Sequence, residues 1–303
     1  MSVRTPEIPA SARLGGAGSI LLAASLWGTT GTVRALAPEG ASPVSVGAAR
    51  IVVGGLLLVL LASLVGRGAE LRRLLSSRRA RLLLAVGVIC VAVYQTAFFA
   101  GVARTGVATG TVVTIGSAPA FAGLLSWLTG GDPLSRRWLA ATAGAVLGCA
   151  ALIGGGQEAG VEPLGVALAL LSGLGYAVYA TIASHLIVGG GGDQAVVAAL
   201  FGGAGLLLLP VLLLGSSGWM LTGSGLLVAG YLGGVTTAVG YVLYARGLRG
   251  TPVAVATTLG LAEPAVAALL GLAVLGEDLG GVALVGLAGI GCSLLLLVLP
   301  ERR

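Results

Sequence analysis

One carboxylate, Glu263, lies about 11 residues into the apolar run Pro252–Leu275, near the middle of a stretch long enough to span a bilayer, which takes about 20 residues. An acid at that depth costs about 3 kcal/mol on insertion scales, so it usually faces a wet cavity, where it can meet a cation or exchange a proton. The alternative is a structural glutamate bonded to a neighbouring helix. Pro264 follows directly and removes a backbone donor, which frees a carbonyl at the same depth. Pro119 sits at a matching depth in the run Gly106–Leu128. The two prolines read either as paired hinges beside a cavity or as packing residues.

Other polar and aromatic side chains also fall mid-run. Trp27 and Tyr176 stand away from the run ends where interfacial anchors collect. With Tyr94, Gln95 and Tyr241 they suit a cavity wall that holds an organic solute, or else pack as core residues. Gln95 needs a partner or water at its depth. Thr111 and Thr114 share one helix face, and either contact solute or bond their own backbone. Arg50, in the second run, can snorkel outward, pair with a carboxylate or take a substrate carboxylate.

Much other chemistry is excluded. All 17 basic residues are arginine, so the phosphate-loop lysine and Schiff-base chemistry are absent. His185 is the sole histidine and reads as a helix-end residue, and no serine sits in a G-x-S-x-G elbow. Cys90, Cys149 and Cys292 lie in apolar runs at no metal-ligand spacing and read as small core residues. No cofactor or metal is expected. A membrane-embedded lipid-handling enzyme needs converging acid, base and metal groups, and too few are present. A structural scaffold has no use for a mid-run Glu263.

The elements that must position these residues follow from composition. Charged residues make up 9% of the 303, against about 25% in soluble proteins, which leaves too little polar surface for a water-soluble globule. The chain reads as an all-α integral membrane protein. Ten apolar runs are long enough to be transmembrane helices: Leu14–Ala37, Pro43–Leu64, Arg81–Arg104, Gly106–Leu128, Leu139–Ile153, Pro163–Ile187, Ala195–Leu214, Gly225–Leu248, Pro252–Leu275 and Gly280–Leu299. The fifth is short and can start nearer Arg136. The first exceeds a usual signal h-region and is expected to stay as a span.

Arginine placement orients the chain. With the N-terminus cytoplasmic, Arg4, Arg13, Arg67, Arg72, Arg73, Arg78, Arg79, Arg81, Arg136, Arg137, Arg246, Arg249, Arg302 and Arg303 all fall inside, against Arg34 and Arg104 outside. Both termini are therefore expected in the cytoplasm, with residues 1–13 and 300–303 as tails. The Arg67–Arg81 cluster reads as a loop beside anionic lipid, not as a nucleic-acid surface. The pairs Gly106/Gly110, Gly144/Gly148 and Gly230/Gly234 allow close helix approach within the bundle.

The two halves, residues 14–155 and 156–299, resemble each other. Pro119-Ala120-Phe121-Ala122-Gly123-Leu124-Leu125 matches Pro264-Ala265-Val266-Ala267-Ala268-Leu269-Leu270, and at the same offset Arg104 aligns with Arg249 and Gly131-Asp132 with Gly276-Glu277. Each half holds five runs. Five is odd, so the second half enters the membrane inverted, and inverted repeats build a binding site at their interface near the midplane.

These residues carry a family resemblance. Leu26-Trp27-Gly28, Ala49-Arg50, Ala118-Pro119 with Gly131-Asp132, Ala262-Glu263-Pro264 and Gly276-Glu277-Asp278-Leu279 make the chain similar to the drug/metabolite transporter superfamily, specifically its EamA-type ten-helix members. Asp132-Pro133 departs from the family's usual Gly-Glu but keeps a carboxylate. The resemblance implies two five-helix repeats, export of small metabolites, often amino acids, and no ATP hydrolysis. The reading is a secondary transporter in the cell (plasma) membrane, an inner-membrane protein that is not an enzyme. Its partners are a small-molecule substrate and the lipid bilayer, with proton coupling through Glu263 open to it. The alternatives are an uncoupled facilitator or a multidrug exporter.

Overall fold

The structure, a computed structural model, describes residues 10–129, 134–154, 162–215, 217–275 and 280–299. The motif residues Gly131, Asp132, Pro133 and Gly276 to Leu279 lie outside the described residues, as do residues 1–9 and 300–303 of the expected tails. Among the described residues the regular structure is helical and no strand is present. That is what apolar sequence in lipid requires, because a helix satisfies its backbone within one segment.

The first half comprises α1 (Ala10–Gly28), α2 (Thr30–Arg34), α3 (Pro43–Leu64), α4 (Gly68–Ser76), α5 (Arg78–Gly106), α6 (Thr109–Leu128) and α7 (Arg136–Gly154). The second comprises α8 (Pro163–Val188), α9 (Asp193–Leu214), α10 (Gly223–Leu248), α11 (Val253–Leu259), α12 (Ala262–Leu270) and α13 (Gly281–Val298). Among the described residues, eight helical stretches are long and apolar enough to cross a membrane: α3, α5, α6, α8, α9, α10, the stretch Val253–Val274 that holds α11 and α12, and α13. The other two segments expected to cross are α1 with α2, and α7, both packed into the same bundle.

Local chemistry sets the helix ends. Ser42 caps α3 by accepting from Ser45 N, with Pro43 at the first helical position. Ser135 Oγ accepts from Trp138 N at 3.0 Å, which moves the start of α7 back to Arg136. Gly106 joins α5 to α6 with φ 82°, a left-handed conformation that glycine adopts without a Cβ clash. The connection from α3 to α5, expected as a plain loop, contains α4. Leu74 of α4 is buried and Leu71 packs on the core, while Arg72 and Arg73 point outward, so α4 is amphipathic.

Helix ends sort into two faces. On one, Arg249 pairs with Asp193 at 3.1 Å, and Arg137 donates to the carbonyls of Leu296 and Leu299. This is the arginine-rich face. On the other, Arg104 pairs with Glu162 at 2.6 Å, and Trp219 Nε1 donates to Ser45 Oγ at 2.8 Å. Between the faces, large side chains such as Leu56, Leu206, Leu213, Leu227 and Val285 are exposed, an apolar belt suited to acyl chains and not to water.

The halves pack as a two-fold relation between them would require. α3 lies on α9, α7 lies on α13, α1 lies against α10 and α12, and α8 lies against α5 and α6. Glycines allow the closest approaches. A Cβ on Gly148 would meet Gly286 O at 2.7 Å, and one on Gly286 would meet Gly148 O at 2.5 Å. Gly144, likewise on the α7–α13 seam, faces Ser293. Gly230 does not serve packing: nothing lies within 4 Å of its Cβ position, and Gly234 meets only Leu57. Gly286→Val is expected to destabilise the protein by about 3 kcal/mol, because rigid backbone crowds the site and cannot yield. Gly291→Ala, which enters open space, is the control. Thermal melts of both variants in detergent test this, and equal melting temperatures would contradict it.

Candidate functional site

Interrupted helices meet at the centre of the bundle. α11 ends at Leu259, the chain turns at Gly260 and Leu261, and α12 resumes at Ala262. The turn closes through Leu261 N to Thr258 O and Glu263 N to Gly260 O, both 3.0 Å. Pro264 therefore stands in the first turn of a new helix, where a missing N–H is tolerated. Pro119 lies inside the continuous α6. The two prolines thus stand differently: the chain is interrupted just before Pro264 and runs on as helix through Pro119. Four residues before Pro264 stands the flexible Gly260, whereas Ile115 holds that place before Pro119.

α1 breaks at the same level. Thr29 Oγ1 donates to Leu26 O at 2.7 Å and hydrogen-bonds Tyr231 Oη at 3.0 Å, after which α2 begins. Gly28 lies against the carbonyl of Glu263 and the side chain of Val266, so the two interruptions touch. A third irregularity lies in α10, where Leu232–Val239 is π-helical. Leu232 O accepts from Thr236 Oγ1 at 2.7 Å and Thr237 Oγ1 at 2.9 Å, so side chains support the widened turn.

A cavity of about 90 Å³ opens among these elements. Its walls are Trp27, Arg50, Tyr94, Gln95, Phe98, Thr114, Ile115, Ser172, Tyr176, Tyr241, Thr257, Gly260 and Glu263, drawn from both halves. Eight of the nine residues singled out as solute contacts share this cavity. Thr111, one turn earlier in α6, does not line it. Thr114 lines it, but its hydroxyl donates across to Ala169 O at 3.1 Å, so it joins α6 to α8.

The π segment aims two of the lining side chains. Trp27 Nε1 donates to Thr236 O at 2.9 Å, and Arg50 Nε donates to Thr237 Oγ1 at 3.1 Å. Arg50 is thus held from behind and does not snorkel to the surface. Arg50 and Glu263 are the charged side chains on the cavity wall. Tyr94 and Tyr241 join their hydroxyls at 2.6 Å, and Ser172 Oγ holds Tyr94 O at 2.8 Å. Around them, Tyr179 stacks on Tyr94 with centroids 5.7 Å apart, Phe201 lies 4.0 Å from Tyr241, and Tyr244 lies 5.4 Å from Trp27. Tyr179, Phe201 and Tyr244 are fully buried and fill the space beside the cavity.

Sequence reasoning passed over Phe98, Ser172, Thr257, Gly260 and the Thr236–Thr237 pair. A signal for the last existed: Gly233-Gly234 followed by two threonines, mid-run, marks a helix whose backbone needs side-chain partners. Cys149 is buried as expected, but Cys292 is exposed, because α13 sits at the edge of the bundle with few buried residues. His185 is at the end of α8, exposed on the arginine-rich face.

A multi-pass helical bundle with helices interrupted beside a central polar cavity is a membrane-transporter architecture. The chain belongs to the EamA-like transporter family, which it matches over residues 14–154 and 163–299, one repeat in each half. It is 38% identical over 284 residues to the uncharacterized transporter YwfM of Bacillus subtilis (strain 168), covering 94% of each chain. A solved crystal structure shares the fold with a TM-score of 0.79 at 20% identity, covering 95% of this chain and 96% of that one.

Proposed function

We propose that the protein is a secondary transporter that exports a small polar or amphipathic metabolite, an amino acid or a related compound, from the cytoplasm. Ten membrane crossings form two inverted five-helix repeats, with both termini in the cytoplasm of a cell bounded by this membrane. The repeats rock about the central cavity and expose it alternately to the two sides. One observation carries the reading: a single arginine and a single carboxylate share an aromatic-walled cavity built by both repeats. A zwitterion matches that pair, its carboxylate toward Arg50 and its ammonium toward Glu263, with the aromatic wall taking the apolar part. Glu263 also serves as the group that exchanges a proton when substrate leaves.

The fully buried Tyr179, Phe201 and Tyr244 act as the packed seal that must part for alternate opening. A thermal-shift screen of the purified protein against amino acids, nucleosides and amine drugs selects the substrate class. Counterflow in proteoliposomes, with and without a pH gradient, then tests coupling. Stabilisation by zwitterionic amino acids and gradient-driven flux are expected. Flux indifferent to the gradient supports an uncoupled facilitator, and stabilisation only by amine drugs supports a multidrug exporter.

A further inference from the structure

A second, larger cavity of about 400 Å³ opens on the arginine-rich face, apart from the central one. Arg73 from α4 and Arg79 from α5 line it, with His185 from the end of α8. Leu74, Leu83 and Leu186 contribute apolar wall, and the turn Gly189–Gly192 closes one side. Among the described residues neither Arg73 nor Arg79 forms an ion pair. Glu70 also lines the cavity; Arg67 holds its Oε1 at 2.5 Å, and its Oε2 is buried beside Gly192 without a hydrogen-bond partner among the described residues. With the Glu70 charge balanced by Arg67, Arg73 and Arg79 leave the cavity net positive.

The geometry points to a binding site for the headgroup of an anionic phospholipid. The cavity sits at the level of the amphipathic α4, where the helix ends meet the headgroup layer. Two guanidinium groups supply the forks that hold a phosphate, and the leucine wall takes the start of the acyl chains. The occupant is a lipid and not a soluble anion, because the site combines cationic and apolar walls beside lipid-exposed Leu75 and Leu82. Its walls come from both halves, α4 and α5 from the first and the α8–α9 turn from the second, so a seated lipid ties the repeats together on this face. The site stands independently of the substrate reading.

The test is native mass spectrometry and thermal melting of the full chain in detergent, titrated with phosphatidylglycerol, cardiolipin, phosphatidylcholine or glycerol phosphate. Wild type is expected to keep anionic lipid adducts and to melt higher with them than with phosphatidylcholine. Arg73→Ala with Arg79→Ala is expected to weaken that binding about thirtyfold, while Arg136→Ala, elsewhere on the same face, leaves it unchanged. Gly192→Ala keeps both arginines, but its Cβ collides with Glu70 Oε2 and forces that carboxylate to move. It is expected to weaken the binding as well, and so gives a second reading should the double variant fail to fold. Equal retention of phosphatidylglycerol and phosphatidylcholine, or unchanged anionic-lipid binding in the variants that fold, would overturn the proposal. So would stabilisation by glycerol phosphate as large as that by the lipid.

Discussion

Glu263→Gln is expected to lower transport at least about tenfold, or to leave flux that no longer responds to pH, with the melting temperature preserved. Glutamine keeps the volume of glutamate and its capacity for hydrogen bonding, so the packing of Gly28 against the Glu263 carbonyl is untouched. What it removes is the negative charge that faces Arg50 across the cavity. A charge-assisted hydrogen bond contributes about 1.5–3 kcal/mol, which corresponds to about ten- to hundredfold in binding. The pH response separates the two roles. If Glu263 exchanges the coupled proton, the glutamine variant still performs counterflow but cannot be driven by a pH gradient. If it only holds the substrate ammonium, affinity falls and the gradient response stays. Unchanged, still pH-sensitive flux in proteoliposomes would remove Glu263 from both roles.

Arg50→Ala is expected to weaken binding of carboxylate-bearing solutes about thirtyfold or more, by loss of a charge-assisted contact of about 2 kcal/mol. Solutes that carry an amine but no carboxylate should lose far less. Arg50→Lys is not expected to rescue, because Arg50 Nε is fixed by Thr237 Oγ1 while the rest of the guanidinium remains available, and an ammonium has no such fork. Thermal-shift titration of wild type and both variants with an amino acid and its decarboxylated amine measures the split. Equal losses for the two solutes would show that Arg50 acts on the fold and not on a carboxylate.

The two variants remove opposite members of one pair, and they are not expected to add. Breaking a pair of charges in a low-dielectric cavity leaves the survivor without its counterion, so each single variant bears part of the other's cost.

Much of the site was legible because polar residues in long apolar runs have few places to go. Glu263, Arg50, Gln95 and the mid-run aromatics were conspicuous against leucine, valine and alanine, and they do share one cavity. Thr111 was the exception. The i, i+3 rule puts it on the same helix face as Thr114, but it cannot say how far along the helix a cavity extends. That Pro119 and Pro264 stand in different backbone settings was not legible for a related reason. A proline removes a helix hydrogen bond in the interior, as at Pro119, but none in a first turn, as at Pro264, and which setting it occupies depends on its neighbours, here Ile115 in one half and Gly260 in the other.

Composition and run length by themselves determined that the chain is a helical membrane bundle, because lipid leaves a backbone no partner except its own helix. The repeated Pro-Ala segments further determined the two-part plan. Tertiary structure alone decided where helices depart from regularity. The break in α1 lies against the break between α11 and α12, and the π segment of α10 carries the acceptors for Trp27 and Arg50. Each gives up regular helical hydrogen bonding beside a contact more than 180 residues away in sequence. No local pattern encodes such a contact, since it exists only once distant helices have met.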